Sequence, residues 1–317
     1  MNRKSIAFPA NLEKSKVDTY LNLARLGRTG WLRHILAIGL ILFLWQVIGA
    51  LPTVILIFLV TTDGNPQTTV SGSGQFSGVE PVVSLAIILS ASVLFLIGIF
   101  LAIRFIHLRP FRTLITPERR ISWRRILQGF IAWVILLGIM SLVEAFFYPG
   151  RYIWTMNFRQ FLPFTVLALF LIPIQASTEE LFFRGYLLQS IGLRLRNIWI
   201  LSVLSGLVFM LPHLLNPEAR INYLLMGFYY FIIGAVMAYI TLRDGKLELA
   251  IGFHTANNLF SALVANYNGT VLPTPSMFTV NTLDAPYSVI AATIGLLVFV
   301  LIFIPRLRFG PRGKTPV

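Results

Sequence analysis

An all-α membrane protein, with about eight transmembrane helices in one bundle, is the fold class this sequence predicts. Three observations predict it. Only 12% of the 317 residues are charged and 56% are hydrophobic, with a mean hydropathy of +0.77, whereas a soluble domain carries about 25% charged residues. Eight apolar runs are long enough for a bilayer, which takes about 20 helical residues to cross. Lys and Arg gather in alternate connections between those runs, the bias that sets membrane orientation.

The runs cover 34–60, 82–106, 126–148, 161–183, 197–216, 221–242, 247–266 and 287–305. Residues 1–33 form a polar segment with Arg3, Lys4, Lys14, Lys16, Arg25, Arg28 and Arg33. No cleavable signal is expected there, because the first apolar run is too long for a signal core. The 61–81 connection has no Lys or Arg, whereas 104–125 holds Arg104, Arg109, Arg112, Arg119, Arg120, Arg124 and Arg125. Arg151 and Arg159 follow the third run, Arg194 and Arg196 the fourth, Arg220 the fifth, and Arg243 with Lys246 the sixth. The stretch 267–286 has no basic residue, and the tail carries Arg306, Arg308, Arg312 and Lys314. Eight spans with both termini in the cytoplasm fit this alternation.

The net charge of +14 belongs to these short connections and not to one soluble domain, so no nucleic-acid partner is expected. The chain has no cysteine, which excludes disulfides, thiolate nucleophiles and cysteine metal sites.

Nine of the twelve acidic residues lie in tails, loops or span ends; Glu144, Glu179 and Glu180 do not. Glu144 lies about one turn from the outer end of its run, and no partner for it is visible in the sequence. His34 and His107 fall at expected cytoplasmic interfaces, whereas His213 and His254 fall inside runs. An ionisable group at mid-membrane costs roughly 2.5–3.5 kcal/mol on insertion scales, and such groups face the protein interior and default to a functional role.

Three polar constellations follow. In Glu179-Glu180-Leu-Phe-Phe-Arg184, Glu180 and Arg184 share a helix face at i, i+4 and can pair. Glu179 points about 100° away and is free for another partner, so two adjacent carboxylates receive different environments. Taken alone, the run also suits an ion pair that only orients its helix. In Phe209-Met-Leu-Pro-His213, a catalytic histidine and one bonded to a neighbouring helix fit equally well. In His254-Thr-Ala-Asn-Asn258, His254 and Asn258 share a face and can aim two donors at one point, as an oxyanion hole requires; helix–helix bonding fits as well, and fits Asn257 better.

Taken together and in order, these three motifs resemble the CPBP family of intramembrane peptidases, the CAAX protease and bacteriocin-processing family. The family pattern is Glu-Glu-x-x-x-Arg, Phe-x-x-x-His and His-x-x-x-Asn/Asp, and here all three are complete on separate runs. Arg243-Asp-Gly-Lys-Leu-Glu-Leu-Ala before His254 is also similar to the family. The resemblance covers about 160–266 and implies an intramembrane endopeptidase, related to type II CAAX prenyl endopeptidases. It implies that Glu179 and His213 hold and activate a water, that His254 and Asn258 stabilise the oxyanion, that Glu180 and Arg184 support them, and that Phe209 packs near His213.

Other intramembrane protease chemistries lack their residues. There is no His-Glu-x-x-His, no Asp inside a run, and the Ser-Gly-Ser-Gly of 71–74 lies in a polar loop. A zinc-dependent version remains open, with Glu179, His213 and His254 as ligands. A metal-free glutamate mechanism without a cofactor is favoured, because Asn258 is a natural oxyanion donor and a poor zinc ligand. A proton-coupled transporter or a non-proteolytic scaffold are the rival classes, although neither broken helices nor two related halves are evident.

The expected organisation is a cytoplasmic N-terminal segment (1–33), three N-terminal helices (34–150), a CPBP-like catalytic core (151–270), and a last helix with a basic cytoplasmic tail (271–317). The expected setting is a multi-pass protein of a cell membrane, of the bacterial inner-membrane type. The expected partners are the lipid bilayer and a membrane-embedded or lipidated protein or peptide substrate; neither substrate identity nor oligomeric state is encoded legibly. One expectation conflicts with a shared site. At about 1.5 Å per residue, His254 lies roughly 10 Å from the cytoplasmic end of its run, and Glu179 and His213 lie roughly 22 and 24 Å from theirs.

Overall fold

The computed structural model describes residues 15–71, 75–267, 270, 272 and 274–304. The basic residues Arg3, Lys4 and Lys14, those of the tail, and most of the Ser-Gly-Ser-Gly stretch lie outside the described residues.

All eight apolar runs are helical. In chain order the helices are α1 (Lys16–Asn22), α2 (Trp31–Thr62), α3 (Pro81–Ile106), α4 (Trp123–Phe147) and α5 (Phe158–Ile191). They continue with α6 (Ile198–His213), α7 (Tyr223–Asp244), α8 (Glu248–Leu263) and α9 (Ala285–Phe303). Among the described residues six helices, α2 to α5, α7 and α9, are long and apolar enough to cross a membrane. The protein is therefore a multi-pass membrane protein. The helices α6 and α8 have 16 residues each, about 24 Å of rise, so eight full spans reduce to six long helices and two short ones. The short helices carry His213 and His254.

The lipid-facing surface is apolar. Phe146, Leu142 and Phe170 are 78%, 73% and 68% exposed, which a membrane tolerates and water would not. The main core cluster takes residues from all of α2 to α9; within it Trp133 of α4 packs on Phe253 of α8 at 4.0 Å, and Phe299 of α9 meets Phe253 edge-on at 5.3 Å. The helices α4 and α8 approach backbone to backbone. A Cβ on Gly252 would lie 2.0 Å from the Ile126 carbonyl oxygen, and one on Gly129 2.5 Å from that of Leu249. Small residues permit such contact between membrane helices.

Short caps close both ends of the bundle. On one end a three-stranded sheet, β3 (Tyr152–Trp154), β4 (Ala265–Tyr267) and β5 (Phe278–Val280), has the order β3-β5-β4. The strands β3 and β5 are antiparallel, and β4 and β5 parallel. A two-stranded ribbon, β1 (Thr69–Val70) with β2 (Phe76–Ser77), completes the loop after α2. On the other end the stretch 111–122 covers the start of α8: the Leu247 amide donates to the Ile115 carbonyl (2.9 Å) and the Ser122 amide to Glu248 Oε1 (3.2 Å). The buried Tyr20 of α1 donates to the Leu114 and Arg184 carbonyls at 2.8 and 3.1 Å.

Candidate active site

The helix α5 positions the first two carboxylates. Its α-helical part ends at Glu180, and Leu181–Leu187 form a π-helical turn, a distortion common at functional sites. Pro173 lies one and a half turns before Glu179, where a missing amide bends a helix. Across the wider turn Arg184 Nη1 still donates to Glu180 Oε1 at 2.8 Å, with both side chains fully buried. The guanidinium also lies over the Phe209 ring, 4.1 Å from its centroid, a favourable cation–π arrangement.

Glu180 Oε1 has a second partner that the i, i+4 spacing does not reveal. His254 Nδ1 lies 2.9 Å from it, so Glu180 joins Arg184 on its own helix to His254 on α8. Glu179 projects to the other side, and its Oε2 lies 3.9 Å from His213 Nε2 and 3.7 Å from His254 Nε2. Glu179, His213 and His254 therefore converge on one point, despite the mismatched depths counted along the chain. The cap over α8 explains the discrepancy, because that helix starts inside the protein, beneath 111–122, and not at its surface.

Hydrogen bonds fix the outlook of His213. Its Nδ1 lies 2.7 Å from the Phe209 carbonyl oxygen, which can only accept, so Nδ1 carries the hydrogen and a neutral ring turns the lone pair of Nε2 toward Glu179. The Phe209 ring packs against His213 at 4.3 Å, tilted by 36°, and meets His254 edge-on at 6.1 Å. Phe209 thus touches Arg184 and both histidines.

Asn258 does not stand beside His254 as a free donor. Its Nδ2 donates to Gln175 Oε1 at 2.8 Å, and Gln175 Nε2 donates to Glu179 Oε1. Gln175 holds one oxygen of Glu179 and leaves the other facing the histidines. This residue was missed in the sequence, although its place one turn before Glu179 in an apolar run was the available signal. Asn257 bridges helices, accepting from Trp133 Nε1 and donating to Asn258 Oδ1, both at 3.2 Å. Glu144 also has partners, contrary to expectation: Arg151 Nη1 at 2.8 Å and the Tyr152 hydroxyl at 2.7 Å. These donors come from the following loop and β3, so no helical spacing announces them, and they tie Glu144 to the sheet end of the bundle.

Comparison with known proteins agrees with this part of the chain. Residues 158–260 match the family model of type II CAAX prenyl endopeptidase Rce1-like proteins. The chain is also 40% identical over 185 residues to YyaK, an uncharacterized protein of Bacillus subtilis strain 168. That match covers 58% of this chain and 62% of the relative. The segment of the chain that is similar to type II CAAX prenyl endopeptidase Rce1-like proteins thus runs from the start of α5 into α8 and holds Glu179, Glu180, Arg184, Phe209, His213, His254 and Asn258 in the order of the motifs.

Proposed function

We propose that the protein is an intramembrane endopeptidase that hydrolyses a peptide bond of a membrane-associated protein or peptide, using a water activated by Glu179 and His213. The observation that carries this proposal is the convergence of Glu179 Oε2 with the Nε2 atoms of His213 and His254, at 3.9 and 3.7 Å. Those separations suit one water in contact with the carboxylate and His213. The water gives a proton to Glu179 as its oxygen bonds to the scissile carbonyl carbon. Collapse of the tetrahedral adduct breaks the C–N bond, and the proton passes to the leaving amine.

His254 is suited to receive the oxyanion in its imidazolium form. Glu180 takes the Nδ1–H, and the Nε2–H then faces the cavity. With Glu179 and Glu180 ionised and Arg184 and His254 charged, the buried set is neutral, which lowers the cost of holding it out of water. Asn258 keeps one amide hydrogen beyond the one given to Gln175 and supplies the second donor. A substrate joined to the membrane, by a span or a lipid chain, is the class this location favours. Both termini in the cytoplasm of a cell membrane remain part of the proposal, on the alternation of basic connections.

A zinc-dependent version would use Glu179, His213 and His254 as ligands. It is favoured by one feature: each imidazole has its Nδ1 committed to an acceptor, as metal-binding histidines usually do. Zinc there would polarise the carbonyl and acidify a water. The Nε2–Oε2 separations exceed the edge of about 3.3 Å expected between ligands some 2.0–2.1 Å from a tetrahedral zinc, and among the described residues no three such groups are close enough to hold a metal. We therefore favour the metal-free version. Glu179→Gln and His213→Ala, reconstituted in liposomes, are expected to insert normally and lose processing in a comparative survey of truncated membrane-protein termini. Cleavage retained by both variants rejects the peptidase. Stoichiometric zinc whose chelation stops turnover rejects the metal-free version.

A further inference from the structure

His213 differs from His254 in having no carboxylate on its Nδ1. Its ring packs instead against two aromatic rings: Phe209 at 4.3 Å, and Tyr230 of α7 at 4.7 Å, each tilted by 36°. Phe209 belongs to the motif, and Tyr230 does not.

Tyr230 is itself anchored. Its hydroxyl donates to Glu218 Oε1 at 2.9 Å, and Asn216 Nδ2 reaches the same hydroxyl at 3.4 Å and the same carboxylate oxygen at 3.4 Å. Glu218 lies in the single 3₁₀ turn Pro217–Ile221 that joins α6 to α7. It is a buried carboxylate that forms no ion pair among the described residues. The Tyr267 hydroxyl of β4 faces the same carboxylate, and burial with that nearby charge pushes it well above the ordinary tyrosine range. Burying a carboxylate with neutral donors alone is costly, and here those donors include the Tyr230 hydroxyl that lies beside His213.

We infer that Tyr230 and Glu218 are positioning residues for His213: Glu218 pins the Tyr230 hydroxyl, and the Tyr230 ring holds the imidazole so that Nε2 faces Glu179. The arrangement completes a clamp whose other jaw is Phe209. A ring with a single hydrogen bond could otherwise pivot about it, and an ångström of misplacement at a reacting group costs on the order of 100-fold in rate. This inference rests on the proposed peptidase activity for its consequence, though not for its geometry.

The test therefore has two arms. In liposomes, His213 is modified by diethylpyrocarbonate and its rate read by mass spectrometry, with His254 as internal reference. Tyr230→Leu is expected to accelerate modification of His213 about fivefold or more relative to His254, and Tyr230→Phe and Glu218→Ala to accelerate it less. Glu218→Gln, which keeps an oxygen for the tyrosine, is expected to behave as the wild type. An unchanged His213 rate in Tyr230→Leu overturns the inference, and so does a Glu218→Gln variant that behaves like Glu218→Ala. In the processing assay, Tyr230→Leu is expected to lower kcat about tenfold or more with KM nearly unchanged. Loss of processing in Glu179→Gln with full kcat in Tyr230→Leu overturns the clamp alone, whereas full processing in Glu179→Gln removes the peptidase and leaves the reactivity arm to judge the clamp.

Discussion

The buried pair Glu180–Arg184 offers a sharp quantitative prediction, because each partner has a different second contact. Removing one member of a buried ion pair costs about 3–5 kcal/mol, mainly by stranding the other charge. Arg184→Met leaves Glu180 with His254 Nδ1 at 2.9 Å, so its cost belongs near 3 kcal/mol, including the lost stacking on Phe209. Glu180→Leu strands the guanidinium, whose Nε and Nη2 already lack partners, and releases His254; its cost belongs at about 5 kcal/mol. The double variant removes both charges and leaves two apolar side chains in an apolar core. It is expected to be less destabilised than Glu180→Leu alone, which implies a coupling energy of about 3 kcal/mol or more across the cycle. Unfolding of the four proteins in mixed micelles, followed by tryptophan fluorescence, measures this coupling directly. Additive single effects would show that the 2.8 Å contact carries no coupling and that Arg184 is held by packing alone.

Three further outcomes are expected. Gln175→Leu leaves Glu179 Oε1 without its donor and Asn258 without its acceptor, so processing should fall about tenfold or more while thermal stability drops by only about 1–3 kcal/mol. Gly252→Ala puts a methyl group 2.0 Å from the Ile126 carbonyl oxygen; α4 and α8 must separate, and the variant should lose stability and processing together, since His254 lies two residues on. His107, just beyond α3, has its pKa lowered to about 4, by burial first and partly offset by its bond to the Arg28 carbonyl. The unfolded chain therefore binds its proton near pH 6.5 and the folded protein near 4, so stability falls as pH drops through that window, by up to about 3 kcal/mol. An unfolding series from pH 7 to 4 should be flatter for His107→Asn than for the wild type.

The helices were legible in the sequence because lipid leaves their composition one-sided, and each apolar run corresponds to a helix. The three motifs were legible for a related reason. A charged or imidazole side chain inside a run of Leu, Ile and Phe is costly, so few positions could compete. Gln175, Tyr230 and Glu218 were harder to find because their residue types are unremarkable at helix faces and loops. Their significance lies in partners from other elements: Asn258 on α8, His213 on α6, and a carboxylate in the loop before α7. Likewise the i, i+4 spacing announced the contact of Arg184 with Glu180, but not that of His254 with the same oxygen.

The apparent mismatch in depth has the same origin and clarifies how the site is built. Counting residues from the end of a helix assumes that the end is at the membrane surface. For α8 it is not, because the Ile115 carbonyl and the Ser122 amide bond to its first turn. The helix is short because it begins under one cap and runs into β4 at the other. For the same reason His254 is close to the start of its helix, yet enclosed. The helix α6 is short at its other end, where Pro212 and His213 close it and the chain turns into the loop that carries Glu218. Each histidine thus lies on a helix too short to be a simple span, against the one long helix, α5, whose π-helical turn follows directly on the two glutamates. Long helices bring the chain through the lipid, whereas the short, enclosed ones bring polar groups from separate parts of the chain to one point.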